Sequence, residues 1–194
     1  MLEKLFKRLQ GIKPFTNQFD MLMESGQAIN DDGEAVGMCQ PMSNHYLDLL
    51  LKKQDPTQEL QDGKQFLKQS IIEENQEIDF RAQNPGEEEH HAFHKNKVEH
   101  RDEHHSLKSL TPEKVSKTLE DKDHMLMTFE LNQKDKYHQV YLGKQSASKC
   151  RFFDANLNGG ERVKPCEELI PEAMEYLRKH YSLDEDTSFR LGIG

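Results

Sequence analysis

Across 194 residues, 35 Asp and Glu outweigh 26 Lys and Arg, and the formal net charge of −9 repels phosphate backbones and anionic lipid. Only 34% of residues are hydrophobic and Trp is absent, which points to one modest core under a heavily solvated surface. Nucleic acid is therefore not an expected partner, no run approaches the roughly 18 apolar residues of a membrane span, and a protein with a basic patch suits the charge.

The first ten residues alternate Leu2, Leu5, Phe6 and Leu9 with Lys4, Lys7 and Arg8, an amphipathic helix expected to dock on the domain. They lack the continuous apolar region of a signal peptide. The segment 13–32, with Pro14, Gly26, Asn30, Asp31 and Asp32, leads through Gly33-Glu34-Ala35-Val36-Gly37-Met38 to Cys39. From Cys39, the residues Met42, Tyr46, Leu49 and Leu50 recur at helical spacing, and Pro41 suits a first turn, so a helix is predicted over 39–53 with the thiol at its start. Asp55-Pro56 ends it, and a second helix over 57–75 carries an apolar stripe interrupted near Gly63.

From Glu73 to Leu107 the chain turns polar and histidine-rich, and is read as an insertion with few core residues. His90 with His94, and His100 with His104, have the i,i+4 spacing that would set two imidazoles on one helical face. That makes a possible transition-metal site, which adjacent carboxylates could complete; no Cys accompanies them, however, and the expectation is a solvated helix or mobile loop with no metal and no cofactor, bordering a cleft and contributing to substrate choice.

Thr111-Pro112-Glu113 starts a short helix through Leu119. Two strands follow, over 124–131 and 137–142, and the second carries His138; a third, Arg151-Phe152-Phe153-Asp154, ends before the turn-rich Asn156-Leu157-Asn158-Gly159-Gly160. Residues 143–149 suit a hairpin loop, so His138 and Asp154 would meet on adjacent antiparallel strands. Leu169, Ile170, Ala173, Met174, Leu177 and Tyr181 form a final helical stripe, and 187–191 are expected to close the sheet. Helices first and antiparallel strands afterwards predict an α+β fold. The three cysteines, Cys39, Cys150 and Cys166, match no zinc or disulfide framework, which suggests a reducing compartment, with Cys150 and Cys166 packing and not reacting.

Cys39, His138 and Asp154 together have the order and setting of a thiol-dependent acyl-transfer site. A helix N-terminus favours thiolate over thiol, a strand holds an imidazole rigidly, and a carboxylate fixes that imidazole's tautomer. These residues resemble the papain-fold cysteine proteases of the YopT and AvrPphB type, bacterial effectors delivered into host cells. The likeness is carried by Gly-x-Cys at a helix start, by an isolated strand histidine about a hundred residues on, by the sixteen-residue step from His138 to Asp154, and by Phe-Phe-Asp followed by Asn and Gly.

The resemblance implies a papain-like domain over 1–194 with the insertion at 73–107. Cys39 would be nucleophile, His138 general acid and base, and Asp154 the orienting carboxylate. It implies a monomer secreted by a bacterium into the reducing host cytoplasm, cleaving a host protein. The chain departs from the family in having Glu34 and Gly33 where an oxyanion-binding amide usually stands, which leaves Asn30 as the candidate, and in having Pro41-Met42 early in the helix. The same triad would serve a glutamine deamidase or transglutaminase, and a module that binds a host protein without catalysis is the non-enzymatic alternative.

Overall fold

A computed structural model describes residues 2, 10–28, 37–133 and 135–194. The amphipathic stretch expected over 1–10 lies almost wholly outside these residues, and so does Asn30. Helix α1 (Gln18–Glu24) is capped by the Asn17 side chain and precedes α2 (Cys39–Leu51), which begins at the predicted residue. Asp55 and Asp62 cap α3 (Pro56–Leu60) and α4 (Gly63–Gln83), so the single helix expected over 57–75 is broken at the anticipated point.

The chain then runs through a 3-10 turn (Glu88–His90), α5 (His91–Lys95), β1 (Arg101–Ser106), α6 (Pro112–Asp121), β2 (His124–Glu130), β3 (Tyr137–Lys144), β4 (Lys149–Phe153), β5 (Glu161–Pro165), α7 (Cys166–His180) and β6 (Ser188–Ile193). The six strands form one antiparallel sheet in the order β1-β6-β2-β3-β4-β5.

Alternation along the strands sends neighbouring side chains to opposite faces. Met125, Met127, Phe129, Val140, Leu142 and Phe152 pack with α6 and α7, whereas Leu126, Tyr141 and Phe153 pack with α1, α2, α4 and α5. The sheet is thus covered on both faces, which realises the expected α+β class. Helix α2 lies against β3: Ser43 Oγ donates to Gln139 O at 3.1 Å, and Tyr46 stacks on Phe153 with ring centroids 4.8 Å apart.

Residues 73–107 are more integrated than their composition suggests. Ala92, Phe93 and Leu107 are fully buried, and Glu73 accepts from His91 Nδ1 at 2.6 Å and from Lys95 Nζ at 2.8 Å, tying α5 to α4. Strand β1, unpredicted because Arg101-Asp102-Glu103-His104-His105-Ser106 has no apolar residue, pairs along its whole length with β6.

The cysteine reading needs correction: Cys150 and Cys166 form a disulfide. Sheet register is the reason. Cys150 pairs with Lys164, and Cys166 N donates to Ser148 O at 2.8 Å, so two residues sixteen apart in sequence end with Cα atoms 4.7 Å apart. Cys39 alone keeps a free thiol.

Candidate active site

The start of α2 and the start of β3 meet at one end of the sheet, so Cys39 and His138 are neighbours. The Cys39 sulfur is hydrogen-bonded to the His138 imidazole and to the Gln139 backbone N–H. On the other side of the ring, His138 Nε2 donates to Asp154 Oδ1 at 2.7 Å. Nε2 being turned to the carboxylate leaves Nδ1 for the sulfur. Cys39, His138 and Asp154, predicted separately from three elements, are therefore brought into one line.

Register explains the His138–Asp154 contact. Tyr141 opposes Phe153 across β3 and β4, so Asp154 stands just past the last β4 pairing, on the same face as His138 and diagonal to it. The Asp154 carboxylate is completely buried and accepts four hydrogen bonds. Oδ1 takes His138 Nε2 and the Asn156 N–H at 2.9 Å, and Oδ2 takes the Tyr181 hydroxyl at 2.6 Å and the Tyr176 hydroxyl at 3.0 Å. Tyr181 Oη also lies 2.8 Å from His138 Nε2, and its ring sits 4.7 Å from the imidazole, while Phe129 covers that ring edge-on. The imidazole is fixed from every side except the one facing Cys39.

The charges follow from this packing. Burial alone would raise the Cys39 thiol, but the His138 charge and hydrogen bond outweigh it, and the thiol lies below its usual range. Burial likewise opposes an imidazolium at 138, yet the Cys39 thiolate and Asp154 carry it up to about 10. Asp154 resists its own desolvation because His138, Tyr181 and the Asn156 N–H hold its anion, and it stays low. Burial and the Asp154 charge push both tyrosine hydroxyls up, so they remain donors. At neutral pH the arrangement sustains a thiolate–imidazolium pair backed by a fixed carboxylate.

Asn30, the expected amide, falls outside the described residues. A different amide reaches the approach to Cys39: Gln18 of α1, buried, accepts from Met38 N at 2.7 Å through Oε1 and donates to Asn156 Oδ1 at 2.6 Å through Nε2. Asn156 in turn donates to Tyr181 Oη at 3.0 Å. Gln18 thereby links the residue before Cys39 to the groups that surround Asp154. Sequence spacing gave no sign of it, since it stands twenty-one residues before Cys39; Tyr181 was hidden as a member of an apolar helical stripe, and Tyr176 carried no signal at all.

Beside Gln40 opens a cavity of about 200 Å³ lined by Gly37, Gln40, Pro41, Glu74, Glu77 and Glu88, with Ile78 and Arg81. Gln40 Nε2 donates to Glu77 Oε2 at 3.0 Å. Burial first, and the neighbouring Glu73 charge second, push the Glu77 carboxyl up to about 9, so at neutral pH it adds no negative charge near the thiolate.

No family model matches this chain, and no curated protein sequence matches it. Among solved structures it is similar to the Pseudomonas avirulence protein AvrPphB, with a TM-score of 0.55 and 14% sequence identity over 81% of this chain and 92% of that one. At that identity the likeness shows the fold, a papain-like α+β arrangement, which agrees with the layout built above from the strands and helices.

Proposed function

We propose that this chain is a papain-like cysteine protease, exported by a bacterium as an effector, that cleaves a host protein. The observation that carries the reading is the His138 imidazole held between the Cys39 sulfur and the Asp154 carboxylate. In the proposed reaction the Cys39 thiolate attacks the carbonyl carbon of a peptide bond, with the first N–H groups of α2 facing the oxyanion. The C–N bond then breaks as the His138 imidazolium gives its proton to the leaving amine. Water, deprotonated by His138, attacks the thioester; the C–S bond breaks, releasing the acid and restoring the Cys39 thiolate beside the protonated His138. Asp154 stays anionic throughout and holds the ring's tautomer.

The disulfide bears on where this happens. A bond such as Cys150–Cys166 belongs to an oxidising setting, and a reducing host cytoplasm would open it, so the proposal requires the site to work with that bond reduced. The Cys166 side is partly exposed and accessible to reductant.

Two measurements test the reading. A thiol-reactive peptide analogue should label Cys39 in the reduced protein in strong preference to Cys150 and Cys166, and His138→Ala should abolish that preference. Incubation with candidate host proteins should yield fragments that disappear with Cys39→Ala, while the variant keeps the unaltered melting profile. A gain of about one dalton without fragments would instead mean that the same triad acts on glutamine side chains. Equal labelling of all three cysteines overturns an enzymatic role.

A further inference from the structure

The histidine-rich segment that the sequence reads as solvated contains a second, separate constellation. His90, His100 and Asp102 each offer a ligand atom within 4.8 Å of the others'. We propose that these residues, with His94, form a structural site for a first-row transition cation of the zinc type, which clips the edge strand β1 to the turn before α5.

Four features indicate a built site and not a chance cluster. His90 is 1% exposed, and its Nε2 has no hydrogen-bond partner among the described residues, whereas His94, partly exposed, has Nε2 3.4 Å from the Glu87 carboxylate and joins the cluster through its ring. Unsatisfied imidazole nitrogens in a protein interior cost free energy unless something ligates them. The His90 ring rests on Gly192 of β6 so closely that a Cβ there would stand 2.6 Å from it, so only glycine gives the ring its seat.

The rings also converge. The His94 and His100 centroids are 4.6 Å apart and those of His90 and His100 are 5.7 Å apart, both edge-on. His100 Nδ1 faces the Val98 carbonyl at 3.3 Å, the outer contact that fixes a ligating histidine's tautomer and frees Nε2. Asp102 is held by its neighbours: Arg190 Nη2 donates to Oδ2 at 2.7 Å, and Oδ1 lies 2.9 Å from His90 Nδ1, the contact that sets the His90 tautomer and leaves its Nε2 for the cation.

The donor set, imidazoles with one carboxylate, suits zinc and excludes a calcium-type site, which needs six or more oxygens. The clip would act close to the candidate active site, because the Glu89 carbonyl next to His90 accepts from Asn44 of α2 at 3.0 Å and from Gln139 of β3 at 2.8 Å.

The test uses the full chain carrying Cys39→Ala, which keeps metal off the reactive thiol. After chelator treatment it is titrated with Co2+, followed by visible absorption, and with Zn2+, followed by calorimetry and thermal melting. One equivalent should saturate the site, with ligand-field bands of a four-coordinate ion and a raised Tm. His100→Gln and Asp102→Asn should each weaken binding at least about ten-fold, whereas His104→Gln, on the exposed side of β1, should change nothing. Binding that does not saturate at one equivalent, an unchanged Tm with Zn2+, or equal affinity in His100→Gln and His104→Gln overturns the proposal. The melt needs no substitution, so it decides the matter even where a variant fails to fold.

Discussion

Cys39 and His138 titrate as one system, and the direction of each shift sets the activity profile. Cys39 is lowered and His138 is raised to about 10, so the thiolate–imidazolium pair exists between those two values. The rate should rise as pH climbs through the lowered thiol value, hold a plateau through neutrality, and fall only as His138 loses its proton near pH 10. A profile of kcat/KM against pH that declines already at pH 7 would contradict the pair. The supporting hydroxyl has its own signature. Tyr181→Phe deletes the 2.6 Å bond to Asp154 and leaves Asn156 Nδ2 without its acceptor, while the ring against His138 remains. Losing one net hydrogen bond of about 1.4 kcal/mol corresponds to about a ten-fold fall in kcat/KM, and the measurement should show that fall in kcat with the melting temperature nearly unchanged.

At the scale of elements, the legible parts were those whose chemistry is local. Helix α2 was readable from Pro41 and the spacing of Met42 and Tyr46, α6 from Thr111-Pro112, and the β2–β3 hairpin from its alternation. The missed strands β1 and β5 lie at the two edges of the sheet, where one neighbour suffices and no apolar face is demanded, so Arg101–Ser106 and Glu161–Pro165 carry no strand pattern. The line of Cys39, His138 and Asp154 was legible because each residue keeps a typical setting, but the groups around it were not, since Gln18, Tyr176 and Tyr181 act through distant contacts that only the folded chain creates. The disulfide was invisible for the same reason, being a consequence of β4–β5 register. It closes a sixteen-residue loop, for which chain entropy gives about 3 kcal/mol. Reduction with dithiothreitol should lower stability to denaturant by roughly that amount, while labelling at Cys39 continues, because His138 of β3 and Asp154 just after β4 are held by Tyr176 of α7 and by Tyr181 just after it. Loss of Cys39 reactivity on reduction would show that the bond is required for the site.

For the whole molecule, buried titratable groups on opposite sides of neutrality define a stability curve. His90 and His124 are drawn down to about 4 by burial, so as pH falls below the ordinary imidazole value the unfolded chain takes up protons that the folded chain refuses, and stability drops. Asp154 and Glu73, held low by their hydrogen-bond partners against burial, lose their contribution at still lower pH. Glu77 works in the other direction. Its carboxyl is pushed up to about 9, so between the ordinary glutamate value and about 9 the folded chain keeps a proton that the unfolded chain has released, and stability falls as pH rises. Cys39 and His138 largely offset each other above neutrality, the first favouring the fold as pH rises and the second disfavouring it. Glu77 is then the group that tips the alkaline side. Tm should peak at about pH 6 to 7 and decline toward pH 9, and Glu77→Gln, which keeps the Gln40 contact without an ionisable proton, should flatten that decline and steepen the rise between the ordinary glutamate value and neutrality, leaving only the limb below that value unchanged. A Tm that still climbs from pH 7 to pH 9, or an equal alkaline slope in the variant, would show that the Glu77 carboxylate is accommodated in its charged form.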